Sequence, residues 1–292
     1  MGMATLLQLV LAGIGMGSVY ALVAIGFSLI YKVTGVINFA QGEFAMIGSM
    51  SFWLLQSHGI PLVPALVVAV AIAAAVGAAI GRFVMYPAAQ ASVLTLIFIT
   101  LGLDTALRGL GTLVWGVNPV AVQAFSGNGV LHVLGAVVPT QNLWIFGAVV
   151  IVAALLYFLL ERTYFGQGMT AAMDNPTAAR LYGMNPLRFG LYAWVLAAAI
   201  GAFGGVVFAP MTMANTNMGL ELGLYGFVGA ILGGLDSLPG AAVGGIALGI
   251  VTSLSAGYIS SDWADGVAFA VLLIMLLVRP QGILGTSLNR RV

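Results

Sequence analysis

The chain has 292 residues, of which 61% are hydrophobic and only 6% charged, with a formal net charge of +1. An average soluble chain carries about 25% charged residues, so this one cannot keep a solvated surface all round and reads as an integral membrane protein. The near-neutral balance gives no basic field for nucleic acid, and the absence of cysteine excludes a disulfide scaffold and a thiolate metal site.

In chain order, the first apolar run covers 4–31. No Lys or Arg precedes Lys32, so the positive region of a secretory signal is missing. The run is also too long for a signal core, and it reads as a spanning helix kept in the mature protein. Further apolar runs follow at 37–56, 62–85, 93–116, 142–160, 190–211, 222–235, 239–258 and 264–278. Crossing a bilayer takes about 20 apolar residues. The run at 222–235 is too short for that and predicts a half-helix or re-entrant piece, its ends covered by protein or an aqueous cavity. The expected fold is an all-α polytopic bundle of eight or nine membrane segments, one domain over 1–292.

Basic residues orient this bundle. Lys32, Arg82, Arg162, Arg180, Arg188, Arg279, Arg290 and Arg291 fall on one side, and Arg108 alone departs. Asp262 and Asp265 fall on the other side. The excess of Lys and Arg on cytoplasmic loops then predicts an outer N-terminus and a cytoplasmic C-terminus. Trp144 and Trp263 stand at outer ends as interfacial anchors. The longest polar break on the outer face, 117–141, is expected to include a short helix on the interface. His58 and His132 lie in predicted loops without clustered ligands, and read as solvent-facing.

Glycine occurs 40 times, with pairs four apart at Gly13/Gly17, Gly77/Gly81, Gly201/Gly205, Gly229/Gly233, Gly240/Gly244 and Gly245/Gly249. Small residues at that spacing let helices approach closely in lipid. Packing within one bundle and packing between subunits both use this device.

Polar groups inside the apolar runs need a reason, because a charge at a helix centre costs about 2.5–3.5 kcal/mol on insertion scales. Asp104 and Arg108 stand four apart, hence on one helix face. They suit a self-neutralising pair or a polar contact in a permeation path. Asn38, Gln41 and Glu43 cluster between Gly35 and Gly42. That pattern fits either a broken helix lining a cavity or the wet inner end of the second run. Glu221 opens the short run at 222–235, where an acid complements the helix dipole; a rim position on a substrate funnel is the alternative. Asp236-Ser237-Leu238-Pro239-Gly240 is a tight turn that Pro and Gly explain unaided.

Several signatures are missing. There is no G-x-x-x-x-G-K-[ST] phosphate loop, no H-E-x-x-H, no Ser/His/Asp set, no arginine ladder and no T-V-G-Y-G filter. The sequence therefore offers no hydrolase site and no ATP site of its own. One polar stretch remains, from Arg162 to Arg188, where charges gather among small residues on the predicted inner face.

The residues now carry a resemblance. Gly13-Ile14-Gly15-Met16-Gly17-Ser18-Val19-Tyr20, then Gly26-Phe27-Ser28-Leu29-Ile30-Tyr31, then Ile37-Asn38-Phe39-Ala40-Gln41-Gly42-Glu43 resemble the start of the LivH-type permease subunits of branched-chain amino acid ABC transporters. The likeness continues through Phe165-Gly166 to Gly183. It goes on through Gly229-Ala230-Ile231-Leu232-Gly233-Gly234 to Gly245, and ends in Arg279-Pro280-Gln281-Gly282. One departure is Gln41, where His is more usual. The resemblance implies a transport subunit and not an enzyme, placed in a bacterial inner membrane. It implies a second related permease, two cytoplasmic ATPase subunits that use ATP and Mg, and an extracytoplasmic substrate-binding protein. The chain itself is expected to bind no cofactor.

The resemblance further implies a cytoplasmic coupling loop at about 161–189, with an inner helix near 168–182 seated on the ATPase. Ala171, Ala172, Ala178 and Ala179 give that helix a small face, Asn175-Pro176 a turn, and Gly183 an end; Arg180 stands ready for an acid on the ATPase. Polarity and helix breaks, not the family, nominate Asn38, Phe39, Gln41, Glu43 and Glu221 for the substrate pathway. Three functions remain open: an importer of branched-chain amino acids, the same machine carrying urea, short-chain amides or other amino acids, and an ion-coupled secondary transporter or channel.

Overall fold

The structure, a computed structural model, describes residues 3–127, 129–133 and 135–285. Its elements are α1 (Met3–Thr34), α2 (Gln41–Ser57), α3 (Leu62–Ala79, prolonged by a π-helical turn Ile80–Met85), α4 (Val93–Trp115), β1 (Val130–Val133), β2 (Ala136–Pro139), α5 (Gln141–Arg162), α6 (Tyr164–Asp174), α7 (Pro176–Leu181), α8 (Pro186–Thr212), α9 (Met218–Gly233), α10 (Leu238–Tyr258) and, after a short 3-10 turn (Ser261–Trp263), α11 (Ala264–Val278). Among the described residues seven helices are long and apolar enough to cross a membrane: α1, α3 with its π turn, α4, α5, α8, α10, and α11 with the 3-10 turn. α9 is apolar but shorter. The second predicted run, 37–56, yields only the 17-residue α2, which starts at Gln41.

α1 is the axis of the bundle. Every residue from Gly17 to Ile30 is buried. A helix apolar all round must be enclosed all round, and α5, α8, α9 and α10 enclose it. Glycine sets the spacing. A Cβ on Gly13 would stand 2.7 Å from Ile250 Cα, and one on Gly17 2.7 Å from Ile246 Cα. Likewise a Cβ on Gly229 would meet Gly245 Cα at 2.8 Å, and one on Gly77 the Ala198 Cβ at 2.6 Å. Gly81 faces Trp194, Gly201 faces Phe44, Gly205 faces Ala45, and Gly240 and Gly244 face Gly233. All six glycine pairs are therefore spent inside this one chain.

Two segments outside the bundle differ from expectation or explain a motif. The outer break holds no interfacial helix among its described residues. It forms an antiparallel hairpin pairing Val130 with Pro139 and His132 with Val137. Valine-rich runs favour the pleated strand, and Ala136 and Val138 turn inward while Val137 stays exposed. His132 thus lies on a strand rather than in a loop, though exposed as expected. At the other end, the Arg279–Gly282 motif returns the chain to α9. Ile283 N donates to Leu232 O (2.8 Å) and Leu284 N to Gly233 O (2.9 Å), so tail amides satisfy carbonyls that a helix end leaves orphaned. Arg290 and Arg291 lie outside the described residues.

A candidate permeation and coupling site

The α1–α2 junction explains why three polar residues sit together. α1 ends at Thr34, and Gly35 adopts φ +68°, a left-handed turn open to glycine. The chain then folds back inward before α2 begins. Gln41 lies against Gly26, eight residues before the end of α1 and about 12 Å along its axis at 1.5 Å per residue. α2 therefore starts deep in the bundle. Asn38, Gln41 and Glu43 are all fully buried. Asn38 Oδ1 accepts from the Ala40 amide at 3.1 Å, and Gln41 Nε2 donates to Ala197 O at 3.0 Å. Gly42 has no room for a Cβ because the α9 backbone at Gly219 and Gly223 fills the space. Of the two readings of this cluster, the structure favours the broken helix, but its polar groups point into protein and not into an open channel.

Glu43 joins a second set that the sequence left separate. Arg108 Nε donates to Glu43 Oε1 at 3.3 Å, and Arg108 Nη2 to Asp104 Oδ2 at 2.5 Å. One guanidinium thus holds two carboxylates, one on its own helix and one on α2. Glu43 Oε2, Gln41 Oε1 and Asn38 Nδ2 have no hydrogen-bond partner. A buried polar atom left unpaired is costly, so this junction is a place where the closed packing stores little polar compensation.

Phe39 and Glu221 go elsewhere. Phe39 is half-buried with its ring 5.5 Å from Phe227, and Glu221 is exposed on α9 beside Leu220 and Leu224. The five pathway candidates therefore divide: three in the protein interior, two on an open face.

The coupling region is an elbow of two helices. Asn175 breaks it, its Oδ1 accepting from the Ala178 amide (2.9 Å) as the N-cap of α7. Gly183, at φ +80°, closes α7: its amide donates to Arg180 O and that of Met184 to Ala179 O, the 5→2 and 6→1 bonds of a Schellman end. Phe165 stacks among Phe189 and Tyr192, and Met169 is fully buried, which fastens α6 to α8. The small face expected from alanine is only partly free. Ala171 is exposed and Ala178 half-buried, but Ala172 and Ala179 are buried against the chain itself. What the elbow offers instead is Leu181 and Tyr182, each 85% exposed, near exposed Arg180. Large apolar residues amid a polar break were the available signal. A cleft of about 230 Å3 runs inward from Arg180 past Leu187 and Gly81 to Val36 at the α1–α2 junction.

This is the build of a multi-pass permease: a glycine-packed bundle with an inner elbow and a broken central helix. Across 92% of its length the fold matches PsaBC from Streptococcus pneumoniae, solved with a Fab, over 91% of that chain (TM-score 0.52, 13% identity). The chain belongs to the family of branched-chain amino acid transport system permease components, whose model matches residues 9–276. It is 34% identical to the high-affinity branched-chain amino acid permease LivH of Escherichia coli K12, covering 96% of this chain and 95% of that one. It is 30% identical to BraD of Pseudomonas aeruginosa over 96% and 95%, and 30% identical to a probable LivH of Methanocaldococcus jannaschii over 91% and 88%. It is accordingly a transport subunit of an ABC system, not an enzyme.

Proposed function

We propose that this chain is the membrane permease of an ATP-driven importer that carries branched-chain amino acids into the cytoplasm. The family and the named relatives support the cargo. Its N-terminus lies outside and its C-terminus in the cytoplasm, which puts α6 and α7 on the inner face. A second related permease completes the translocation path, with Phe39 and Glu221 lining this subunit's share. Two cytoplasmic ATPases bind the elbow and use ATP and Mg, and an extracytoplasmic binding protein loads the cargo. ATPase closure moves the elbow, and the cleft between Arg180 and Val36 relays that motion to the α1–α2 junction. In this scheme Ala171, Asn175, Ala178, Arg180 and Gly183 form or shape the docking surface, and Ala172 and Ala179 seat it on the bundle.

The observation that carries the coupling is the solvent-facing pair Leu181 and Tyr182 on an elbow rigidly tied to α8. Exposed apolar residues of this size mark a partner surface. Tagged chain is purified from its native membrane in mild detergent, and everything recovered with it is identified. Two ATPases and a second permease are expected, and Leu181→Asp with Tyr182→Asp is expected to lose the ATPases while the second permease stays bound. The copurified binding protein is then titrated with leucine, urea and acetamide. Selective binding of urea or amide overturns the cargo; uptake by the purified chain alone, driven by an ion gradient, overturns the importer.

A further inference from the structure

A second polar set lies on the face shared by α9 and α11, apart from Glu43. Tyr20 of α1 stacks on Tyr225 of α9, centroids 4.6 Å apart and planes 14° from parallel. The Tyr225 hydroxyl donates to a carboxylate oxygen of Asp265 on α11. Glu221 stands four residues before Tyr225, hence on the same helix face. Tyr20 feels the charges of Tyr225, Glu221 and Asp265, and no basic group is among them. Its side chain is buried, the residue being 4% exposed, and its hydroxyl has no hydrogen-bond partner among the described residues.

Both acids are exposed and each sits in the first turn of its helix. The positive end of the dipole favours the ionised carboxylate there. Tyr20 is near the middle of α1, so this anionic pair projects from a depth where a charge facing lipid is costly. Two carboxylates, an aromatic wall and a spare hydroxyl thus converge with no cation to meet them.

We propose that this cluster receives the α-ammonium group of the amino-acid cargo, a proposal that rests on the importer reading above. An ammonium has three N–H donors and no acceptor. Asp265, Glu221 and the Tyr20 hydroxyl oxygen supply three acceptors, and the tyrosine stack adds a cation–π surface. A keto acid of the same side chain lacks the donors, leaves both carboxylates uncompensated and is rejected. The selection is for the amine, whatever the side chain.

The test uses the complete importer, this chain with its copurified partners, in proteoliposomes with saturating loaded binding protein. Leucine uptake and ATP hydrolysis are measured together. Asp265→Asn keeps the shape and an acceptor for Tyr225 but removes the charge. It is expected to lower uptake about tenfold or more, the size of one lost charge-assisted hydrogen bond, while stimulated ATP hydrolysis holds, so that more ATP is spent per leucine. Asp265→Glu is expected to restore uptake, and Tyr20→Phe to lower it less. Parental uptake by Asp265→Asn and by the Glu221→Gln, Asp265→Asn double variant overturns the proposal. So does joint loss of uptake and ATP stimulation, which marks a structural role, or a sodium requirement that Asp265→Asn abolishes, which marks a metal cation. A parental complex that moves no leucine at all fails the importer reading itself and is seen before any variant is made.

Discussion

At the residue scale, Arg108 matters most for the stability of the polar junction. It alone offsets the charge of fully buried Glu43 among the ion pairs of the described residues. Removing one partner of a buried pair leaves an uncompensated charge and costs about 3–5 kcal/mol. Arg108→Ala is therefore expected to lower the detergent melting temperature sharply, and adding Glu43→Gln to recover most of it. Melting at the parental temperature in Arg108→Ala would remove this ion cluster from the stability account. Half of the cluster was legible: Asp104 and Arg108 announce themselves four apart on one helix. Glu43 did not, because its partner is 65 residues away and only the packing of α2 on α4 brings them together. The same holds for Asn38 and Gln41, whose polarity was plain but whose complete burial was not.

At the scale of elements, glycine spacing and capping do most of the work. A Cβ on Gly245 would run into the backbone of Tyr20 and Ala21. Overpacking a filled core costs about 1–3 kcal/mol, and backbone yields less readily than a side chain. Gly245→Val is expected to give poor recovery of monodisperse protein, whereas Gly102→Ala, at a glycine facing open space, is expected to behave as the parent. Equal recovery of the two would refute the close α1–α10 approach. The elbow makes a milder case. Losing an N-cap costs about 1 kcal/mol, so Asn175→Ala is expected to speed amide exchange through α7 without unfolding the bundle; unchanged exchange there would deny the cap a role. Asn175, Pro176 and Gly183 were readable as break and stop because their backbone preferences are local. The burial of Ala172 and Ala179 was not, since an alanine stripe looks alike whether it faces its own bundle or a partner.

For the whole molecule, orientation is the open quantity, and composition makes it easy to measure. The chain contains no cysteine, so single cysteines report cleanly. Ser57→Cys, on the exposed end of α2, is expected to react with a membrane-impermeant maleimide from outside, and Thr177→Cys, exposed on α7, only in inverted vesicles. The reverse pattern would turn the topology over and place the elbow away from any cytoplasmic ATPase.

The sequence by itself determined that this is a helical membrane protein, where its long helices run, where the inner elbow breaks and ends, and which family it joins. Those properties depend on local composition, period and ordered motifs, which are written along the chain. Only the tertiary structure decided that all six glycine pairs serve one chain, that α2 starts deep beside Gly26, and that the outer break pairs as a hairpin. It alone joined Glu43 to Arg108 and brought Tyr20, Tyr225 and Asp265 together. Each of these is a contact between residues far apart in sequence, set by how closely helices can approach when the side chains between them are missing.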